Sequence, residues 1–259
     1  MLLASSTVLS NRPNATLWRE TGLQWCDTFV AMQQKIITQA ASSSSHHFGG
    51  YWDTGYNELY LADTGTAVTT LALCHQYAKS QLRKQEYVNA LDRFDSFVTY
   101  GSTTVPSCNF TPNCSYDEGK GQTCAGWVRE DGSLGDGYYK GSINLTPYTI
   151  ATATVGGAFY AEMYRLKKCN SSVLHKDQSI ECERYRTTAL NAVSWLLESR
   201  EQDGSIPYII TPPATGIQHT YQSISYSAEA FIDASLRFQY NLSSLDSTAL
   251  WLCKHQGIN

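Results

Sequence analysis

Apolar residues recur at helical spacing in four stretches of the chain. These are "LWRETGLQWCDTFVAMQQKII" from Leu17, "EYVNALDRFDSFVTY" from Glu86, "RYRTTALNAVSWLLESR" from Arg184 and "SLDSTALWLCKHQ" from Ser244. Polar or charged residues fill the other positions, so each predicts an amphipathic helix with one solvated face. Three further stretches are nearly uncharged and rich in Ala, Gly, Ser and Thr: "ADTGTAVTTLALCHQYA" from Ala62, "TPYTIATATVGGAFYAEMYRL" from Thr146 and "SISYSAEAFIDASLRF" from Ser223. Small side chains all round a helix allow close approach on every side, which predicts inner helices. Each follows a loop rich in Gly and aromatic residues. The order outer helix, loop, inner helix thus occurs three times, and a fourth outer helix ends the pattern. No period-two run is long enough for a real sheet, and "IPYII" from Ile206 predicts only a short hairpin arm.

Alternating solvated and buried helices predict an all-α fold, an α/α toroid or a short helical solenoid of about three and a half outer/inner pairs with disulfide-stapled loops. The heptads of a coiled coil are missing. The expected organisation is one domain over residues 1–259. Within it, residues 1–16 read as a signal remnant or an extended N-terminal arm, and residues 101–126 as a Cys- and Gly-rich insertion. The phrase "ALNAVSWLLESREQDGSIPY" resembles the repeat of the α/α-toroid, six-hairpin-like superfamily. That superfamily includes glycoside hydrolases, polysaccharide lyases, uronate epimerases and terpene cyclases. The resemblance is architectural, and it implies a ligand cleft where the loops entering the inner helices gather. The terpene-cyclase branch is excluded, because no "DDxxD" or "DxDD" element occurs. The last stretch, "ALWLCKHQGIN", restarts the phrase "SWLLESREQDGS" without its loop, which leaves three expectations: a compact short toroid, a piece of a longer protein, or a unit whose open repeat edge self-associates with a neighbouring copy.

Composition narrows the partners. Charged residues make up only 16% of the chain, 17 residues are tyrosine, and the net charge is −4. A polar, weakly charged, phenol-rich surface suits carbohydrate, and the missing basic stripe excludes nucleic acid. No apolar run approaches the roughly 18 residues that span a bilayer, so no membrane partner is expected.

The eight cysteines, Cys26, Cys74, Cys108, Cys114, Cys124, Cys169, Cys182 and Cys253, fit four disulfides. Local pairing predicts Cys169 with Cys182, a bridge within the Cys108–Cys124 segment, and Cys26 with Cys74 on neighbouring helices. The chain lacks Cys-x-x-Cys, so neither zinc nor any other metal is expected, and no cofactor motif is present. Six Asn-x-Ser/Thr sequons, at Asn14, Asn109, Asn113, Asn144, Asn170 and Asn241, predict attached N-glycans. Cysteines and sequons together predict an extracellular or secretory-pathway lumenal location.

Candidate chemistry sits in the loops before the inner helices. The first offers Trp52, Asp53, Tyr56, Asn57, Glu58, Tyr60 and Asp63. The second offers Trp127, Arg129, Glu130, Asp131, Asp136, Tyr138 and Tyr139. The third offers Asp203, Tyr208, His219, Tyr221, Tyr226 and Glu229. Aromatic faces stack on sugar rings, which singles out Trp52, Tyr56, Tyr60, Trp127, Tyr139 and Tyr221 as carbohydrate-binding residues. Glycoside hydrolysis needs two facing carboxyl groups, for which Asp53, Glu58, Asp63, Asp131, Asp136 and Glu229 are the candidates, with Asp53, Glu58 and Glu229 foremost. Lyase or epimerase chemistry instead moves a proton beside a uronate, with His219 and Tyr221 as acid or base and Arg129 as the neutralising cation. Asp131 and Asp203 precede Gly-Ser and read as turn residues, and Asp63 reads as a helix cap.

Two functional readings follow. One is a secreted glycoprotein of toroid type that binds or processes a polysaccharide. The other is a non-catalytic subunit of an extracellular glycosylated filament or matrix, completed by neighbouring copies.

Overall fold

The structure, a computed structural model, describes residues 15–41, 59–100, 115–117, 121–123, 127–129, 131–139, 142–209 and 216–255. Among them the chain is predominantly helical, with seven helices in the expected alternation. The amphipathic stretches form α1 (Ala15–Ala41), α3 (Gln81–Tyr100), α5 (Lys176–Glu198) and α7 (Asp246–His255). The small-residue stretches form α2 (Leu61–Tyr77), α4 (residues 149–166) and α6 (Ile217–Phe238). Residues described divide into two compact units. Unit 1 comprises residues 1–59 and 66–127, and unit 2 comprises residues 60–65 and 128–259.

In unit 1, α1 and α3 run parallel. Arg83 bonds Asp27 at 2.8 Å, the Tyr87 hydroxyl donates to Asp27 at 2.6 Å, and the Gln33 amide donates to the Ala90 carbonyl at 3.0 Å. Residue numbers thus rise together along the two helices. Burial and the hydrogen bond to Asp27 push the Tyr87 phenol above its ordinary value, so it stays a neutral donor. Cys26 and Cys74 form a disulfide that ties α1 to α2, as the sequence predicts. Trp127 is only 2% exposed. Its ring packs on Phe97 with centroids 5.8 Å apart, and its amide donates to the Val98 carbonyl.

Unit 2 is built around α4, in which residues 149–163 are all buried. Its middle, Thr152–Phe159, is a π-helical segment carrying Gly156 and Gly157. A Cβ on Gly156 would lie 2.7 Å from the Ala192 methyl of α5 and 2.8 Å from Leu134, and one on Gly157 would collide with the Ala230 methyl of α6. Both neighbouring helices therefore approach to backbone contact, which only glycine permits. The helices α4 and α6 run parallel. Gly157 meets Ala230, Glu162 bonds Arg237 at 3.0 Å, and Tyr164 meets Phe238 with ring centroids 5.0 Å apart. Beyond Ala230 and Ala234, α6 packs Phe231 against Val193, Leu196, Ile206 and Trp251. Its opposite side leaves Ile232 and Leu236 exposed, so unlike α4 it does not pack all round.

The phrase Asp-Gly-Ser recurs in unit 2 as one turn built twice. Asp131 Oδ1 accepts the Ser133 amide at 3.0 Å, and Asp203 Oδ1 accepts the Ser205 amide at 2.9 Å. In both turns the residue two before the aspartate closes a loop with the serine carbonyl: Arg129 N–H to Ser133, and Glu201 N–H to Ser205, each at 2.9 Å. Gly132 and Gly204 hold φ of +85° and +93°, and a Cβ on either would strike backbone of the following outer helix, at Asn191 in α5 and Ser247 in α7. The next residue, Leu134 or Ile206, is fully buried.

Strands are short. They comprise β1 (Leu59–Tyr60), β2 (Ser115–Asp117) paired with β3 (Gly121–Thr123), and β4 (Gly135–Tyr139) paired antiparallel with β5 (Ser142–Pro147). Residues 206–209 form no strand, and the rest of the hairpin arm expected from Ile206 lies outside the described residues. Within 206–209 the Pro207 carbonyl accepts the Thr149 hydroxyl at 2.9 Å and the Ser223 hydroxyl at 3.1 Å, which commits the segment to the starts of α4 and α6.

Candidate functional site

The starts of α4 and α6 bring three ring side chains together in unit 2. Tyr148 stands in extended conformation between β5 and α4, with its amide donated to the Leu134 carbonyl at 2.9 Å. The Asp203-Gly204-Ser205 turn then returns the chain past α4, where the Ile209 amide donates to the Thr149 hydroxyl at 2.9 Å. This places Tyr208 against Tyr148, with the two hydroxyls sharing a hydrogen bond of 2.7 Å and the rings edge-to-face at 5.7 Å. His219, in the first turn of α6, lies with its ring 5.2 Å from that of Tyr208. Its Nδ1 is buried and makes no hydrogen bond among the described residues.

The chemistry available here is specific. Hydrogen-bonded phenols present both a donor and an acceptor, and a neutral imidazole presents a donor at one ring nitrogen and an acceptor at the other. Aromatic faces beside such groups match a sugar ring, whose C–H face stacks while its hydroxyls hydrogen-bond.

Other predicted residues are placed elsewhere. Glu229 is ten residues beyond His219 on α6, about 15 Å along the helix axis, so the two do not converge on one bond. Burial and the nearby Glu162 carboxylate raise the pKa of the Glu229 carboxyl. Asp233, one turn further along, is pushed up to about 7, first by burial and then by Glu162. Glu162 itself is held by Arg165 at 2.6 Å and Arg237 at 3.0 Å. Tyr221 packs edge-to-face on Trp251, with centroids at 5.3 Å, and its hydroxyl donates to the His255 carbonyl at 2.5 Å. Tyr221 thus fixes α6 to α7 and is not part of the ring cluster. Trp127, expected to stack on sugar, is a core residue of unit 1 because its indole is enclosed by α3 and its flank. Arg129 sits 3.5 Å from Asp131 in the first Asp-Gly-Ser turn.

Burial raises Asp131, but hydrogen bonds from Ser133 and the Arg129 charge outweigh it and leave the carboxyl below its ordinary value. Hydrogen bonds from Ser205 lower Asp203 likewise. Both aspartates are turn residues, as expected. Asp63 falls inside the first turn of α2, two residues past the helix start, where a carboxylate favours the helix dipole and is not the cap.

Trp52, Asp53, Tyr56 and Glu58 lie outside the described residues, as do Asn14, Asn109, Asn113, Cys108, Cys114 and Cys124. Tyr60, Tyr139 and Asn144 belong to strands whose side chains at those positions are likewise outside the description. Cys169 and Cys182 form the expected disulfide. Cys253 is an exposed free thiol, not the half-cystine expected of it, because its position on α7 faces solvent.

Tyr148 is not among the loop residues expected to form the site. Its signal was the dipeptide Pro147-Tyr148, which has a counterpart in Pro207-Tyr208, since proline before an aromatic at a helix entry fixes the approach of the chain. No group of three His, Cys, Asp or Glu side chains suited to a metal occurs among the described residues. In the same residues no helix is long and apolar enough to cross a membrane. No protein-family model matches the chain, and no curated protein matches it.

Proposed function

We propose that the chain is an extracellular helical-repeat protein of α/α-toroid type that binds a polysaccharide at the Tyr148–Tyr208–His219 end of unit 2. The observation that carries the reading is the 2.7 Å phenol pair beside an imidazole with a buried, unpartnered nitrogen, gathered where two parallel inner helices begin. A buried polar atom without a partner is costly, and a ligand hydroxyl or carboxylate in its place removes that cost. The twice-built Asp-Gly-Ser turn supports the toroid reading, because in both places it lies on the path from an outer helix to an inner one and packs its glycine on the next outer helix. Two disulfides support an oxidising, extracellular location. If the site also processes its ligand, His219 moves the proton and the phenols orient it.

The test is titration of the secreted chain with neutral and uronate-bearing polysaccharides. Saturable binding is expected, weakened about tenfold by Tyr208→Phe and by His219→Ala, each removing a hydrogen bond of roughly 1.4 kcal/mol. Product analysis on the same mixtures reads cleavage or epimerisation. Undiminished binding by both variants overturns the assignment of the site.

One observation favours a structural subunit instead. Ile232 and Leu236 stand exposed on α6, and Leu17, Trp25 and Met32 stand exposed along α1. Sedimentation of the wild-type chain, which would show concentration-dependent assembly abolished by Leu236→Glu, decides for that reading.

A further inference from the structure

The two parallel inner helices of unit 2 both end at a non-glycine residue with positive φ. Just past the end of α4, Lys168 has φ of +55°, and the Cys169 amide donates back to the Tyr164 carbonyl at 3.1 Å. Helix α6 stops at Gln239, with φ of +56°, and the Tyr240 amide donates back to the Ala234 carbonyl at 3.3 Å. These are left-handed C-terminal caps, both made by a non-glycine residue. Two residues beyond each cap stands an asparagine that opens a sequon: Asn170-Ser171-Ser172 and Asn241-Leu242-Ser243. The asparagines are 71 positions apart, as are the two positive-φ residues Lys168 and Gln239. Each asparagine and each serine two residues on is exposed.

We propose that Asn170 and Asn241 are N-glycan attachment sites occupying one equivalent position in two copies of the repeat, so that both oligosaccharides project from the same end of unit 2. In each, the amide nitrogen attacks the anomeric carbon of a lipid-pyrophosphate-linked oligosaccharide, the donor class of the secretory pathway. The C–N bond forms, the C–O bond to phosphate breaks, the lipid pyrophosphate leaves with the electron pair, and the amide proton passes to the transferase. The chain is not oxidised or reduced.

The location has two physical consequences. Tyr148 and His219 lie at the starts of α4 and α6, roughly 30 Å of helix away from the far ends, so the glycans do not cover the candidate site. At the glycan end, Val173 is 80% exposed and Leu236 is 68% exposed. A hydrated oligosaccharide beside each screens apolar surface that would otherwise favour aggregation. The disulfide between Cys169 and Cys182 holds the Asn170 turn against α5, which keeps the first sequon displayed at this end.

The experiment is secretion of the full chain from a eukaryotic host, enzymatic release of N-glycans in ¹⁸O-water, and peptide mapping. Asn170 and Asn241 are expected as ¹⁸O-labelled aspartate. Ser172→Ala and Ser243→Ala, which leave each asparagine and each backbone turn in place, are each expected to remove one glycan step on a gel. Recovery of either unlabelled asparagine peptide as the predominant form, from secreted chain with both disulfides oxidised, overturns the proposal. The readout does not involve polysaccharide binding, so its failure and the failure of the proposed function are distinguishable.

Discussion

Replacing Asp233 by Asn tests the electrostatics of the α4–α6 contact directly. Asp233 faces Glu162 and Glu229, with Arg165 and Arg237 as the opposing charges, and its carboxyl is pushed from 3.8 up to about 7 by burial and then by Glu162. Glu162 spends both arginines on itself, with contacts of 2.6 and 3.0 Å, so Asp233 gains little from them. The sign follows from proton linkage. Between the unfolded value near 4 and the folded value near 7, the folded chain holds a proton that the unfolded chain has lost, so stability falls as pH rises through that window. Below it, both states are protonated and nothing is lost; above it, the cost is constant. The full interval corresponds to about 4 kcal/mol, and partial solvent access at Asp233 reduces this to about 1–2 kcal/mol. Asp233→Asn keeps the shape and removes the titration. The variant is expected to match wild type at pH 4 and to exceed it by about 1–2 kcal/mol at pH 8, or about 2–8 °C in Tm. Thermal melts of both chains at half-unit pH steps measure the difference, in which the titrations of Asp131 and Asp203 cancel. A difference that stays flat from pH 4 to pH 8, or that favours wild type at pH 8, refutes the reasoning.

Three further outcomes are expected. Gly157→Ala places a methyl against the Ala230 methyl and should cost about 1–3 kcal/mol by overpacking, while a second change, Ala230→Gly, should recover part of that loss in denaturant titration. Gly132→Ala and Gly204→Ala each force a side chain into positive φ and against the backbone of the next outer helix, so each should cost at least about 1–2 kcal/mol, by similar amounts because the turns are equivalent. Breaking the Cys26–Cys74 bridge, which spans 48 residues, should cost about 4 kcal/mol against about 3 kcal/mol for Cys169–Cys182, which spans 13, when Cys→Ser pairs are compared by chemical unfolding.

The helices were legible because burial is periodic. Seven segments chosen on apolar spacing and small-residue content became seven helices in the expected order, since a helix face must meet a core whatever surrounds it. Pairing of Cys26 with Cys74 and of Cys169 with Cys182 was legible from helix adjacency and from a short polar loop. The β4–β5 hairpin was not legible, because "GDGYY" offers glycines where an alternating apolar face would be read. The ring cluster was only half legible. Tyr208 and His219 stood among the loop candidates, but Tyr148 did not, and nothing in the residue types distinguished Tyr221, which packs on α7, from a ligand-facing phenol. Which way a half-buried aromatic points depends on the neighbour that reaches it first. Trp127 shows the same limit, since an indole that would stack on a sugar stacks equally well on Phe97.

What the repeated turn does mechanically explains why the site falls where it does. Each Asp-Gly-Ser turn is locked on two sides: the aspartate caps it from within, and the glycine is pressed on a later outer helix from without. The buried residue that follows, Leu134 or Ile206, then enters the core with its direction fixed. After Ile206 the chain has no freedom to wander before Pro207, whose carbonyl takes hydroxyls from both α4 and α6. Tyr208 is therefore delivered to Tyr148 by the backbone and not by the attraction between two phenols, which alone is worth only about 1 kcal/mol. A site positioned in this way is preorganised, because the cost of ordering its side chains is met in folding, before any ligand arrives. It follows that Gly204→Ala, at the far side of the turn, should weaken ligand binding as well as stability. Tyr208→Phe, by contrast, should weaken binding and lower stability only by the roughly 1 kcal/mol of the lost hydrogen bond, about 2–4 °C in Tm. Equal stability losses from both substitutions would mean that the phenol pair, not the turn, holds the segment in place.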